Sequence, residues 1–296
     1  MRAFRVSRAP KHSRFSSGFD AFHTVGGGRA LKRWAALGAL FGASIALVVW
    51  APAAWLARAV GAASEQRFLL TEARGTVWSG SAVLVLTGGA GSRDASALPG
   101  RLRWKLSLDG SALALRARHA CCINGEMLLR LKPGWAGVRL ELPPSQGALG
   151  QWPAAWLTGL GTPWNTLQPA GALQLSSPGL TLESVQGRWR FEGRAEMSMN
   201  AMSSRLSTLE VLGSYKLVLN GAGGSGAGGG AIDAGATLQL ITTSGALQLG
   251  GDGQWVASRL RFTGQASAAP GSEAVLNNLL NIIGRRQGAR SVISIG

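Results

Sequence analysis

Two cysteines, three histidines and fourteen acidic residues in a chain of 296 leave little material for catalysis. Beyond residue 57 there is one histidine, His119, so a Ser-His-Asp site has a single position on which to be built. No Gly-x-Ser-x-Gly nucleophile turn accompanies it. The thirteen acidic residues of the same region form no cluster, which leaves paired-carboxylate chemistry without a candidate pair. The cysteines are adjacent, Cys121 and Cys122. Neighbours on a strand point to opposite faces, and with His119 they offer three ligands where a structural zinc site takes four. No metal, no cofactor and no catalytic residue is therefore expected. In an oxidising compartment the two cysteines form a vicinal disulfide, pair with another chain, or stay buried as thiols. The sequence does not choose among the three.

One stretch comes close to a ligand motif. In RGTVWSGSAV, residues 74–83, Gly75 and Gly80 stand five positions apart and Ser81 follows, as in much of a phosphate-binding loop. The lysine such a loop needs for the β- and γ-phosphates is missing, because Ser81 and Ala82 occupy its place. A β reading fits better. Thr76, Val77 and Trp78 are strand formers, Ser79-Gly80 marks a bulge or turn, and AVLVL continues as an apolar strand. Gly75, Trp78 and Gly80 are then the candidate residues of an interaction motif, with Trp78 as core or interface anchor.

What the chain has in abundance is apolar surface, glycine and positive charge. Hydrophobic residues make up 46 %, charged residues only 15 %, and there are 43 glycines, which excludes both a disordered chain and a helical bundle. The net charge of +16 reads first as a solvated face, then as affinity for anionic headgroups or an acidic partner; nucleic acid is not expected.

From Trp34 to Ala57 no charge interrupts the chain, and a helix of that length spans a hydrocarbon core. Trp34, Trp50 and Trp55 fall near its ends, as interfacial aromatics do. Residues 1–33 carry eight Lys and Arg against Asp20 alone, so the positive-inside rule places the amino end in the cytoplasm and the remainder outside. Three regions follow: a basic, disordered tail (1–33), a transmembrane helix (34–57) and an exported β-rich domain (58–296). A cleaved signal peptide is the competing reading, since Ala57-Arg58-Ala59 has the small-x-small form. Gly38 and Gly42 have the spacing that permits close helix packing.

The exported part reads as antiparallel meanders. In RLRWKLSLDGSALALRAR, a two-residue turn at Asp109-Gly110 sets Leu106 opposite Leu113, Trp104 opposite Leu115 and Leu102 opposite Ala117. The reverse face then sets Arg103 against Arg116 and Arg101 against Arg118. This basic face must meet water, acidic neighbours or an anionic partner. MLLRLKPGWAGVRLEL repeats the scheme around Pro133-Gly134. GALQL occurs at 171–175 and 245–249, followed by RWRFEGRA and RLRFTGQA, which suggests a repeated strand-turn-strand unit. GAGGSGAGGG, residues 221–230, is a flexible loop, and QWPAAWLTGLG is one short helix between Pro153 and Gly161. Near the carboxyl end Ser272 caps a helix with Val275, Leu276, Leu279, Leu280 and Ile283 on one face. Gly284 stops it, Arg285-Arg286 complement its end, and SVISI closes the chain as a strand.

A basic tail, one anchor, EARGTVWSGSA soon after it, a β-rich body and the ending LNNLLNIIGRRQGARSVISIG together resemble the type II secretion system protein N family. The resemblance runs from about residue 34 onward and is sharpest at Gly75 to Ala82 and in the Leu-rich ending. It implies a single-pass, accessory inner-membrane component of the machine that moves folded proteins across the outer membrane of Gram-negative bacteria. Its β-domain would be periplasmic and its partners other inner-membrane or secretin subunits. The family supplies no catalytic residues to carry over. The short β-units with one apolar face are also similar to AsmA-like envelope proteins, which implies a sheet groove that binds or conducts lipid.

Overall fold

The computed structural model describes residues 29–134, 137–145, 147–185, 188–221, 235–256 and 259–296. Most of the basic tail (residues 1–28) and most of the glycine-rich loop (222–230) lie outside the described residues. The chain divides into two units, 1–48 and 49–296.

In the first unit, helix α1 (Arg29–Val49) contains an 18-residue segment, Lys32–Val49, long and apolar enough to cross a membrane. Trp34, Leu37, Leu40, Phe41 and Ile45 are exposed along it. The Ser44 hydroxyl donates to the Leu40 carbonyl (2.8 Å), so this polar group is satisfied within the helix. A Cβ on Gly38 or Gly42 would meet nothing within 4 Å among the described residues.

The apolar run 34–57, expected as one helix, is divided. Pro52 has no N–H and disfavours helical geometry at Ala51, so α1 stops at Val49 and a second helix, α2 (Ala53–Ala63), begins after Pro52 in extended conformation. Ala51 and Ala53 are buried, and α2 belongs to the second unit.

The second unit is one antiparallel sheet of sixteen strands: β1 (Phe68–Gly75), β2 (Ser79–Thr87), β3 (Ala95–Ala97), β4 (Leu102–Asp109), β5 (Ala112–His119), β6 (Met127–Gly134), β7 (Gly137–Leu142), β8 (Ala148–Pro153), β9 (Pro169–Val185), β10 (Arg188–Ser204), β11 (Gly213–Asn220), β12 (Thr237–Gly245), β13 (Leu247–Val256), β14 (Arg259–Ala268), β15 (Arg285–Gln287) and β16 (Arg290–Ile295). Strands adjacent in sequence are adjacent in space almost throughout. Only β3, which pairs with β2, and β8, which pairs with β9, leave the path, and β16 precedes β15 at its end. Such local pairing is what short turns between alternating strands produce. The path ends at β1 on one side and β15 on the other, so the sheet has two edges.

Three helical elements cover it. Ala53 of α2 packs with Ala82 and Trp104; Ala154 of a 3-10 helix (Ala154–Leu160) packs with Leu173, Met202 and Tyr215; and Leu276, Leu279 and Leu280 of a carboxyl-terminal helix pack with Leu212, Leu247 and Ala266. Between the second and third lies α3 (Trp164–Leu167), and the carboxyl-terminal helix is α4 (Glu273–Ile283). The short helix expected after Pro153 is thus 3-10 in type, with Gly161 at φ +79° past its end.

Several expected details shift. In the β4–β5 hairpin the turn residues are Gly110-Ser111, and Asp109 pairs with Ala112. Gly110 is at φ +61°, and a turn that needs positive φ at its first central residue selects that glycine. Trp104 therefore faces Ala117, Leu106 faces Leu115 and Leu102 faces His119. The slip is by two positions, which changes partners and preserves faces. Pro133 and Gly134 end β6 instead of forming the turn; Gly134 pairs with Gly137, and residues 135–136 lie outside the described residues. Ser272 makes no side-chain cap, and Arg285 and Arg286 lie in β15. Gly284 is extended, and a Cβ there would stand 2.6 Å from the Val292 carbonyl, so close strand approach requires glycine at that position. The two similar segments do form two hairpins, β9–β10 and β13–β14, and Phe191 of one meets Trp255 of the other with ring centroids 5.8 Å apart.

Candidate functional site

The glycine motif is a junction. β1 ends at Gly75 (φ +90°), residues 76–78 form the turn, and Ser79 and Gly80 already belong to β2, so the strand expected over 76–78 is the turn itself. Thr76 N–H donates to the Ser79 carbonyl (2.9 Å), Val77 N–H to Ala51 (2.8 Å) and Leu106 N–H to Trp78 (2.7 Å). The connector before α2, the β1–β2 turn and β4 are thereby tied together. Trp104, 4 % exposed, donates its indole N–H to the Val77 carbonyl (3.0 Å), while Trp78 is only half-buried. The buried tryptophan of this corner is therefore Trp104, which the alternation in the β4–β5 hairpin sets on the apolar face.

The basic face is met largely by acidic neighbours. Arg101 Nη1 pairs with Glu72 (3.1 Å), and Glu126 holds both Arg116 (3.3 Å) and Arg118 (2.6 Å). The register places Arg103 opposite Arg118 and Lys105 opposite Arg116. Arg103 and Lys105 are exposed and have no ion-pair partner among the described residues. Further along the same face the ladder continues with Arg130–Asp109 (3.5 Å), Lys132–Glu141 (2.8 Å) and Arg139–Glu183 (3.0 Å). Glu126 and Glu72 carry no signal in the sequence, since their partners are set by turns and register. Beyond this, burial works against the Glu196 carboxylate, but Lys216 and Arg194 outweigh it and hold its pKa below the ordinary value.

The opposite face is the apolar one that the alternation implies, and register extends it across six strands. Leu108, Leu113, Leu131, Leu140, Leu182 and Phe191 are directly paired across β4, β5, β6, β7, β9 and β10, which puts six apolar side chains in one row on one face. Leu108 is 76 % exposed, and Leu131 and Val138 are also exposed. None of the three core clusters includes a residue of this row. The alternation in MLLRLK and GVRLEL signals such a face, but its alignment over six strands depends on register.

Cys121 and Cys122 are bonded to each other in the turn after β5. They do not lie on a strand, so the expectation of opposed side chains does not apply. Ligand atoms of His119, Cys121 and Cys122 lie within 4.8 Å of one another, but both sulfurs are committed to the disulfide. A cleft of about 420 Å³ is lined by Asp94, Thr158, Asn165, Gln168 and Arg205, and there Asn165 donates to the Asp94 carboxylate at 3.3 Å.

A family model for type II secretion system (T2SS), protein N, matches residues 66–293. The chain belongs to that family. The match takes in the sheet from β1 into β16 and includes Gly75, Trp78 and Gly80; α1 and α2 lie outside it. As a T2SS protein N, the chain is a component of type II protein secretion, an accessory class with no established enzymatic activity. No curated protein and no solved structure matches the chain. The similarity to AsmA-like proteins gains no support from these comparisons.

Proposed function

We propose that this T2SS protein N is a single-pass inner-membrane protein, held by α1 with its amino terminus in the cytoplasm and its sheet in the periplasm. It acts there as a non-catalytic scaffold that docks other inner-membrane or secretin subunits. The observation that carries this reading is the apolar row from Leu108 to Phe191, exposed at Leu108 and Leu131 and half-buried at its other members, backed by a face of ion pairs. Exposed contiguous apolar surface marks an interaction site, and the sheet edges at β1 and β15 add backbone groups to which a partner strand can bond. The basic tail and the uncharged helix support the orientation.

The test is a crosslinked, detergent-extracted pull-down of the full chain from its own cells, with proteins and lipids both identified by mass spectrometry. Secretin or inner-membrane platform subunits should be recovered, and Leu131→Asp with Leu140→Asp should lose them while exoprotein release falls. Stoichiometric phospholipid without those subunits would overturn the scaffold reading, as would unchanged secretion on deletion of the chain.

A further inference from the structure

The β5–β6 turn holds the chain's reactive side chains, and their surroundings are unequal. Cys122 is 3 % exposed, and its carbonyl accepts from Gln151 N–H (3.1 Å). The bridge Ile123–Gly150 and the bond from Asn124 N–H to Leu149 (3.0 Å) pin the same turn to β8. Cys121, by contrast, is exposed, and its Sγ stands 3.2 Å from His119 Nδ1. His119 is 4 % exposed, and its Nε2 has no hydrogen-bond partner among the described residues. Cys121 N–H donates to Nδ1 at 3.4 Å, so the neutral ring carries its proton on Nε2 and keeps a lone pair on Nδ1 beside the sulfur. Burial lowers the His119 pKa, which keeps Nδ1 unprotonated near neutral pH.

We propose that Cys121–Cys122 is a thiol–disulfide exchange site, entered at Cys121, whose substrate class is a dithiol. A thiolate of the dithiol forms a bond to Cys121 Sγ, and the Cys121–Cys122 bond breaks with its electron pair passing to Cys122 Sγ, which takes up a proton. The second thiol of the dithiol then attacks its own first sulfur and expels Cys121 as a thiolate. The dithiol leaves as a disulfide, oxidised by two electrons, and the cysteine pair is reduced by the same two. The second proton goes to Cys121 Sγ or to His119 Nδ1, the base within reach. Exposure decides which sulfur is attacked, since in-line approach to Cys122 is closed by its burial. The pinning of the turn to β8 lets the reaction proceed in the folded state. The site is independent of the secretion reading.

The test uses the full-length oxidised protein in detergent, dithiothreitol without denaturant, and quenching with iodoacetamide before peptide mass spectrometry. The pair should be reduced while the circular dichroism spectrum is unchanged. With oxidised glutathione, the Cys122→Ser chain should form its mixed disulfide at least about tenfold faster than the Cys121→Ser chain, and His119→Gln added to Cys122→Ser should slow it. Reduction only after unfolding would overturn the proposal on the unaltered protein alone and leave a structural crosslink. Equal rates for the two single-cysteine chains, each checked for native circular dichroism, would overturn entry at Cys121.

Discussion

A Cβ on Gly80 would stand 2.5 Å from the indole Cζ2 of Trp104, so the two residues share a space that only glycine leaves open. Backbone closes it from the other side, with the Arg74 carbonyl at 2.8 Å and the Thr76 carbonyl at 2.9 Å. Gly80→Ala should therefore destabilise the chain by about 1–3 kcal/mol, because backbone cannot give way as a flexible side chain can. Gly250, where a Cβ would meet only the Leu240 carbonyl at 3.9 Å, is the control: Gly250→Ala should stay within about 0.5 kcal/mol. Urea unfolding of the detergent-solubilised protein measures both.

The two tryptophans of the same corner should separate clearly. Trp104→Ala empties a buried site and leaves the Val77 carbonyl without its donor, an expected loss of about 3–5 kcal/mol. Trp78→Ala, at a half-buried position, should cost less than half as much. If Trp78→Ala proved the more damaging, the corner would be anchored as the sequence alone suggests.

Stability should fall in mild acid through His119. Burial lowers its pKa below the ordinary 6.5, so below that pH the unfolded chain takes up a proton that the folded chain refuses. The contribution is fully present above pH 6.5 and is lost as pH falls toward the folded pKa. Melting curves between pH 7.5 and 5 should show a decline that His119→Gln flattens.

At the carboxyl end, Leu280 is 1 % exposed and its carbonyl accepts from the buried Ser291 hydroxyl. Leu280→Ala should cost about 2–5 kcal/mol and loosen α4 from β14 and β16. Exposed Val275, on the face expected to be buried, should tolerate Val275→Ala with little loss. Thermal unfolding of the two variants distinguishes a packed helix from a peripheral one.

Much of the architecture was legible in the chain. The uncharged run after Trp34, the alternation in LRWKLSL and ALALRAR, the paired RxRFxGxA segments and the Leu-rich end each carry a period or a boundary that acts over a few residues. Periodicity of two determines which side chains share a face, and a residue run without charge determines an apolar helix. The type II secretion family was readable from the same segments.

Other features belong to the tertiary structure. Whether Asp109-Gly110 or Gly110-Ser111 forms the turn shifts every partner across β4 and β5 by two places, and local composition is almost indifferent between them. Glu72 reaches Arg101 across 29 positions, and the Val77 carbonyl accepts the indole N–H of Trp104 across 27. The row from Leu108 to Phe191 exists only because five successive registers agree. Faces are set by neighbours along the chain, whereas partners are set by turn geometry and by contacts between distant segments. For that reason the sequence by itself determined the faces of the strands and the family, and only the folded sheet decided the element boundaries, the alignment of the apolar row, the ion-pair ladder and the exposed half of the disulfide.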